Sequence, residues 1–173
     1  MLRRVVLVAA LTAALLPATS AQAAAPSCAV TWGSTEKSAN PVAEGDLVAL
    51  RAGRHDCFDR LVFDVRGVPS GYWVSYVNTM TEDATGNVVP LRGGAKLAVT
   101  VQAPSYDDAG RATYSPANRR ELVNVTGYST FRQVAWAGSF EGSTTVGLGV
   151  RARLPFRVFT MPGRFVVDVA HKW

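Results

Sequence analysis

The side chains with the widest range of chemistry lie together in the segment RHDCFDRLVFDVRG, residues 54–67. A histidine that is oriented by a carboxylate can act as the general base for a serine nucleophile, so His55 with Asp56 or Asp59 is one candidate for hydrolysis. The G-x-S-x-G motif of a nucleophile elbow is absent, because GYSTF from Gly127 lacks the second glycine. We therefore interpret His55 as a loop histidine that precedes a strand, and a small hydrolase remains the alternative.

A second group of candidates lies in the loop YDDAGRATYSPANRR, residues 106–120. Two carboxylates that converge within about 5–10 Å can hydrolyse a glycoside. In a loop rich in Pro, Gly and Ser, however, acids are typical turn residues, and tyrosines on a loop suit a binding surface. The sequence therefore predicts a binding role for this loop and assigns no catalytic residue. The candidate contact residues are Tyr106, Asp107, Asp108, Arg111, Tyr114, Arg119 and Arg120.

The sequence contains none of the common metal or cofactor motifs. Its two cysteines and two histidines are too few and too scattered for a zinc site. The alternating D-x-D-x-D-G pattern of a calcium loop is absent. GLGVRA, from Gly147, has the glycines of a dinucleotide fingerprint, but no helix pattern follows it. We expect neither a metal nor a cofactor.

The opening segment is also the strongest β-strand pattern of the chain. Leu61, Phe63 and Val65 share one face at a period of two, whereas Arg60 and Asp64 lie on the other face. This alternation predicts a strand with one buried face. The residues expected in the core are Phe58, Leu61, Phe63 and Val65.

Eight short runs of β-branched and aromatic residues are separated by Gly, Pro, Asn and Asp, which predicts strands joined by turns. EDATGNVVPL, residues 82–91, and SFEGSTTVG, residues 139–147, predict hairpins. No run sustains helical spacing over three turns, and residues 117–125 suit a turn or two of helix at most. The predicted fold is an all-β antiparallel β-sandwich, with at most one or two short helical turns. The runs are LVALRAG, FDRLVFDVRG, GYWVSYVN, KLAVTVQ, FRQVAWAGSF, TTVGLGVRA, FRVFTM and RFVVDVAHKW.

Residues 1–23 have the layout of a secretory signal peptide. Two arginines precede an apolar run, residues 5–16, and the segment then ends in small residues before Ala23. The run has about 12 residues, whereas a membrane-spanning helix needs roughly 20. We therefore expect an exported protein without a membrane anchor after cleavage. The expected cleavage follows Ala23, with Ala24 and Ala25 as neighbouring alternatives.

The two cysteines, Cys28 and Cys57, both follow the predicted signal peptide. An even number of cysteines in an oxidising compartment predicts a disulfide. Closing this loop of about 30 residues stabilises the fold by roughly 3–4 kcal/mol in the chain-entropy model. The bond would attach an extended N-terminal segment, residues 24–46, to a domain that spans residues 47–173.

The charge pattern argues against a nucleic-acid partner. The formal net charge of +5 falls to +3 when Arg3 and Arg4 are removed with the signal peptide. The remaining cations are scattered among the acids, and they neither cluster nor alternate with aromatic residues. The modest basic excess is compatible with an anionic polymer such as that of a cell wall.

Four segments in order resemble the AMIN-like domain of secreted bacterial proteins, over residues 46–171. They are GRHDCFDRLVFDV, VPLRGGAKLAVTVQAP, FRQVAWAGSFEG and PFRVFTMPGRFVVDV. This family looks like a relative of the AMIN domain, a β-sandwich that targets N-acetylmuramoyl-L-alanine amidases and other envelope proteins to peptidoglycan or the outer envelope. The resemblance implies a noncatalytic localisation or binding module.

The first and last of these segments share a strand motif, RLVFDV and RFVVDV. Each begins with an arginine and carries an aspartate, Asp64 or Asp168, on the face opposite the apolar positions. On neighbouring strands these aspartates can pair with Arg60 and Arg164. We predict surface ion pairs, each worth at most about 1 kcal/mol.

The sequence thus favours a secreted, noncatalytic binding or localisation module of the bacterial cell envelope, and association with the cell wall is the expected location. Its expected partner is peptidoglycan or an envelope protein, contacted through one sheet face and the 106–120 loop. Two alternatives stay open. One is a small secreted hydrolase that acts on a wall or peptide substrate, and the other is a protein that binds and restrains another secreted enzyme.

Overall fold

A computed structural model of the protein describes residues 28–40 and 45–173. The predicted signal peptide, residues 1–23, lies outside this part of the chain. The described residues form nine β-strands and no helix, and residues 117–125 form turns. The strands are β1 Lys37–Ala39, β2 Gly45–Arg54, β3 Phe58–Gly67, β4 Tyr72–Val77, β5 Ala95–Val101, β6 Phe131–Phe140, β7 Ser143–Val150, β8 Phe156–Met161 and β9 Arg164–Ala170.

The strands form two antiparallel sheets. The five-stranded sheet has the order β1-β4-β5-β7-β6, and the four-stranded sheet has the order β2-β3-β9-β8. The predicted all-β sandwich is confirmed. The two predicted hairpins are confirmed as well, since Thr81 bridges Val88 and β6 turns into β7 through Glu141 and Gly142. Glu141 has a φ of 48°, which suits the tight turn between these strands.

The core fills the space between the inner faces of the two sheets. Phe63 and Phe165 contact each other edge to face, with ring centroids 5.4 Å apart. Tyr72 and Tyr76 of the five-stranded sheet pack on Phe165 and Phe156 of the four-stranded sheet. Each fully buried phenylalanine contributes about 1.5–3 kcal/mol of hydrophobic stabilisation.

Residues 28–40 form a strap across one side of the sandwich. The predicted disulfide joins Cys28 to Cys57, with Cα atoms 5.0 Å apart. The Phe156 N–H donates to the Gly33 carbonyl, and β1 then pairs with β4 at the edge of the five-stranded sheet. The strap therefore links the two sheets. Its short strand Lys37–Ala39 lies in the segment that the sequence predicted to be an extended linker.

A buried carboxylate connects the two sheets near the disulfide. Asp59 shares its strand face with Leu61, and its side chain is fully buried. One carboxylate oxygen accepts hydrogen bonds from the backbone N–H groups of Thr130 and Phe131, at 2.6 and 3.0 Å. The other oxygen lies 3.1 Å from Nε2 of His171. Asp59 thus fixes the start of β6 against β3.

Two glycines of β7 allow a loop to cover the outer face of the five-stranded sheet. A Cβ atom on Gly149 would lie 2.0 Å from the Arg92 carbonyl oxygen, and one on Gly147 would lie 2.8 Å from side-chain atoms of Met80 and Leu91. The glycines of GLGVRA therefore permit close packing of the segment that contains the first hairpin.

Candidate functional site

The structure divides the seven loop residues between separate places. Tyr106, Asp107 and Asp108 line an end cleft of about 520 Å³ together with Asp46 and Glu141. We call this feature the end cleft. Asp46 and Asp107 are paired with Arg66 and Arg111, so the negative charge of the cleft comes mainly from Asp108 and Glu141 and suits a cationic group.

Asp107 is tied into the fold of its own loop. Its carboxylate accepts hydrogen bonds from the backbone N–H groups of Ala109 and Arg111 and from the Arg111 guanidinium. The guanidinium hydrogen bond is the main reason why the pKa of Asp107 lies below its usual range. The turn role that the sequence suggests for this acid is confirmed.

The other loop residues lie away from the end cleft. Tyr114 is half-buried against Trp136, with ring centroids 5.8 Å apart, and burial raises the pKa of its hydroxyl. The backbone carbonyls of Arg119 and Arg120 accept hydrogen bonds from Trp136 and Gln133 of β6. These residues therefore border the edge of the five-stranded sheet. Arg111 remains beside Asp107, with a side chain that is 80% exposed.

The partner of the Asp59 carboxylate is His171 and not His55, the histidine of the opening segment. The His55 ring stacks on Phe58, with centroids 4.4 Å apart. Asp59 instead binds two backbone N–H groups and faces His171. Among the residues that the structure describes, no three His, Cys, Asp or Glu side chains converge in a way that suits a metal ion.

The outer face of the four-stranded sheet carries a network of ion pairs. Asp168 of β9 has Arg60 of β3 and Arg157 of β8 as its direct cross-strand neighbours, and it binds both. Asp64 of β3 binds Arg51 of β2 at 2.5 Å and Arg164 of β9 at 3.5 Å. The prediction that these two aspartates pair with Arg60 and Arg164 is confirmed, and the structure assigns Arg60 to Asp168 and Arg164 to Asp64. We call these four arginines and two aspartates the arginine face.

One of these aspartates is not at the surface. The Asp168 side chain is fully buried, because two guanidinium groups bind its oxygens from both sides, at 2.6–2.9 Å. The prediction of weak surface pairs is therefore wrong for Asp168, since removing one partner of a buried pair costs more than removing an exposed one. The Asp64 pair is partly exposed, and the guanidinium of Arg51 holds the pKa of Asp64 below its usual range.

The arginine face keeps an excess of positive charge. Four guanidinium groups face two carboxylates, and each guanidinium has five N–H donors. The ion pairs use only one or two donors of each group. Arg51 and Arg164 are 51% exposed, so unused donors of these two side chains are open to solvent.

Aromatic rings border the arginine face. The Arg157 guanidinium lies over Trp32 of the strap, 4.4 Å from the ring centroid, and Arg60 lies over Phe58 and Phe159. Trp32 in turn packs edge to face on Phe58. The expectation that Phe58 enters the core is wrong, because Phe58 has the same strand parity as Arg60 and faces outward. The disulfide at Cys57 places the strap and its tryptophan at this border.

A shallow groove of about 290 Å³ runs over this face. Arg51, Arg60 and Arg164 line it, and Val62 and Val166 form part of its floor. An anionic group can bind several guanidiniums there while its apolar part rests on the valines. The sequence did not reveal Arg51 or Arg157 as members, because their pairing depends on the register of β2 and β8.

The fold and this surface define the class of the protein. It is a small antiparallel β-sandwich domain with a charged outer sheet face. The model of the AMIN-like domain family matches residues 45–171, and the chain belongs to that family, as the sequence motifs indicated. The family is associated with the bacterial cell envelope, and its domains are in general noncatalytic binding modules.

No curated protein and no solved structure matches the chain. Over residues 28–40 and 45–173, the structure contains no helix that is long and apolar enough to cross a membrane.

Proposed function

We propose that this chain is a secreted, noncatalytic module that binds peptidoglycan through the arginine face. The observation that carries the proposal is the excess of two positive charges among side chains that are already held in place by Asp64 and Asp168. Peptidoglycan carries peptide stems with free carboxylates, and guanidinium groups bind carboxylates with well-defined geometry.

The ion pairs prepare the arginines for binding. A free arginine side chain loses about 2 kcal/mol of rotamer entropy when a ligand fixes it. Here Asp168 binds Arg60 through two hydrogen bonds, and aromatic rings lie against the guanidiniums of Arg60 and Arg157. Much of that cost is therefore met during folding, which leaves more of the interaction free energy for the ligand.

The predicted export fits this ligand. Residues 1–23 are the proposed signal peptide, and a disulfide between Cys28 and Cys57 suits an oxidising compartment outside the cytoplasm. We propose a cell-wall-associated location on these grounds.

The end cleft is proposed as a second contact, in keeping with the loop that the sequence singled out. Tyr106 offers an aromatic ring, and Asp108 and Glu141 are exposed carboxylates on the same cleft. The negative charge of the end cleft is opposite to the charge of the arginine face and suits the amino group of a peptide stem.

Cosedimentation with purified, protein-free peptidoglycan tests the arginine face. We expect the double variant Arg51→Gln, Arg164→Gln to lose about tenfold in affinity, because two exposed guanidiniums contribute roughly 0.7 kcal/mol each. Binding of the wild type should also weaken as salt is raised, since charge screening acts on exposed groups.

The matched control is Arg92→Gln. Arg92 is also an exposed arginine in an ion pair, with Glu121, but it lies outside the arginine face. We expect this variant to bind within about twofold of the wild type. The same loss of binding free energy per charge removed in Arg92→Gln and in the double variant would mean that only net charge matters. Wild-type affinity in the double variant would refute the arginine face as the binding surface.

A further inference from the structure

Trp73 is an unusual residue on the opposite side of the sandwich. It lies in β4, on the outer face of the five-stranded sheet, and 55% of it is exposed. Neighbouring strands pair with β4 on both sides, so the indole stands on a rigid surface and not on a loop. Exposing so large an apolar ring on a strand gives up the hydrophobic stabilisation that burial would supply.

The other three tryptophans all have partners. Trp32 contacts Phe58 and Arg157, and Trp136 is 7% exposed and packs near Tyr114. Trp173 is exposed, but its indole N–H donates to the Arg153 carbonyl. Within the described part of the chain, the Trp73 ring contacts no other ring or cation, and its N–H has no acceptor.

The residues next to Trp73 on this sheet face carry hydroxyl groups. Its direct cross-strand neighbours are Ser38 of β1 and Thr100 of β5, and Ser75 follows on the same face of β4. The Thr100 hydroxyl forms a hydrogen bond of 2.8 Å with the Thr145 hydroxyl, which fixes the position of the Thr100 side chain. The surroundings of the ring thus offer donors and acceptors without a formal charge.

We propose that Trp73 is a stacking platform for a pyranose ring of an uncharged polysaccharide. One face of a pyranose carries C–H groups that pack on an indole, and its rim carries hydroxyls that bond with serine and threonine side chains. A protein partner would instead favour a contiguous apolar patch around the tryptophan. Because the neighbours of Trp73 are serines and threonines, a sugar ligand is favoured over a protein partner.

This site goes beyond the proposed function and is separate from it. The arginine face lies on the outer face of the four-stranded sheet, and Trp73 lies on the outer face of the other sheet. One domain therefore presents an anion-binding surface and a sugar-binding surface on opposite sides. Because the Trp73 site needs no charge, its ligand binding should be insensitive to salt.

A titration with a neutral N-acetylglucosamine tetramer tests the platform. The probe has no peptide stem and no carboxylate, so its binding does not depend on the arginine face. In spectra of the ¹⁵N-labelled protein, the indole N–H signal of Trp73 is assigned as the one that Trp73→Phe removes. We expect this signal to shift and to saturate with the tetramer, while the signal of Trp173 stays in place.

Variants separate stacking from simple loss of structure. Trp73→Ala should weaken binding by about fivefold or more, since a single aromatic stack is worth about 1 kcal/mol. Trp73→Phe should recover part of the affinity, and Trp173→Ala, which removes the other exposed tryptophan, should leave it unchanged. An unmoved Trp73 signal at saturating tetramer would overturn the proposal, as would wild-type affinity in Trp73→Ala. A dimer that Trp73→Ala dissociates would also overturn it, in favour of a protein interface.

Discussion

Asp59 and Asp168 are both fully buried carboxylates, but their partners give them different roles. Asp59 binds backbone N–H groups of the other sheet and therefore supports the fold. Asp168 binds two guanidiniums on an outer face and therefore positions the arginines that we propose to contact the ligand. Successive residues of a strand face opposite sides of the sheet, so the position of each aspartate along its strand decides whether it faces the other sheet or the outer surface.

Replacement of Asp59 should show its structural role. Asp59→Ala leaves two buried N–H groups without an acceptor, so we expect the free energy of unfolding to fall by about 3 kcal/mol. Urea denaturation followed by circular dichroism measures the change. Asp83→Ala, at an exposed aspartate, is the control and should stay within about 0.5 kcal/mol of the wild type. Equal stabilities for the two variants would contradict the assigned role of Asp59.

At the scale of the element, the strap combines a disulfide, an aromatic contact and a short strand. Cys28–Cys57 holds one end, Trp32 packs on Phe58, and β1 pairs with β4 at the other end. None of these contacts is large. The disulfide is therefore expected to keep the strap, and with it the Trp32 ring over Arg157, in place.

The double variant Cys28→Ser, Cys57→Ser tests the strap. The bond spans 29 residues, and loss of this loop closure should lower the free energy of unfolding by about 3 kcal/mol. We expect a lower thermal midpoint and faster proteolysis within residues 28–40, with the sheet content unchanged. The wild type in reducing agent should behave like the variant. An unchanged midpoint in both cases would show that the strap is held without the disulfide.

The sequence predicted the elements more readily than the neighbours of each side chain. Alternation in residues 58–67 was enough to place Leu61, Phe63 and Val65 in the core. Lys37–Ala39 was missed because three polar or small residues carry no periodic pattern, and the pairing partner of this strand supplies its hydrogen bonds. Arg157 was missed as a site residue because only the register between β8 and β9 places it beside Asp168.

For the whole molecule, the distribution of charge matters more than its sum. The formal net charge of +5 is modest, yet one sheet face has four arginines around two aspartates and the end cleft is lined by acids. A rigid sandwich keeps these surfaces apart. We propose that this separation lets one small domain contact different parts of the same wall polymer.

The most direct test of the central claim is to map where peptidoglycan fragments contact the protein. Backbone amide signals of the ¹⁵N-labelled protein are followed while soluble, stem-bearing fragments are added at low salt. We predict that the largest shifts fall on the arginine face, at Arg60, Val62 and Val166 and at their neighbours in β2, β3, β8 and β9. Shifts confined to other surfaces, or no shifts at fragment concentrations that saturate cosedimentation, would contradict the account.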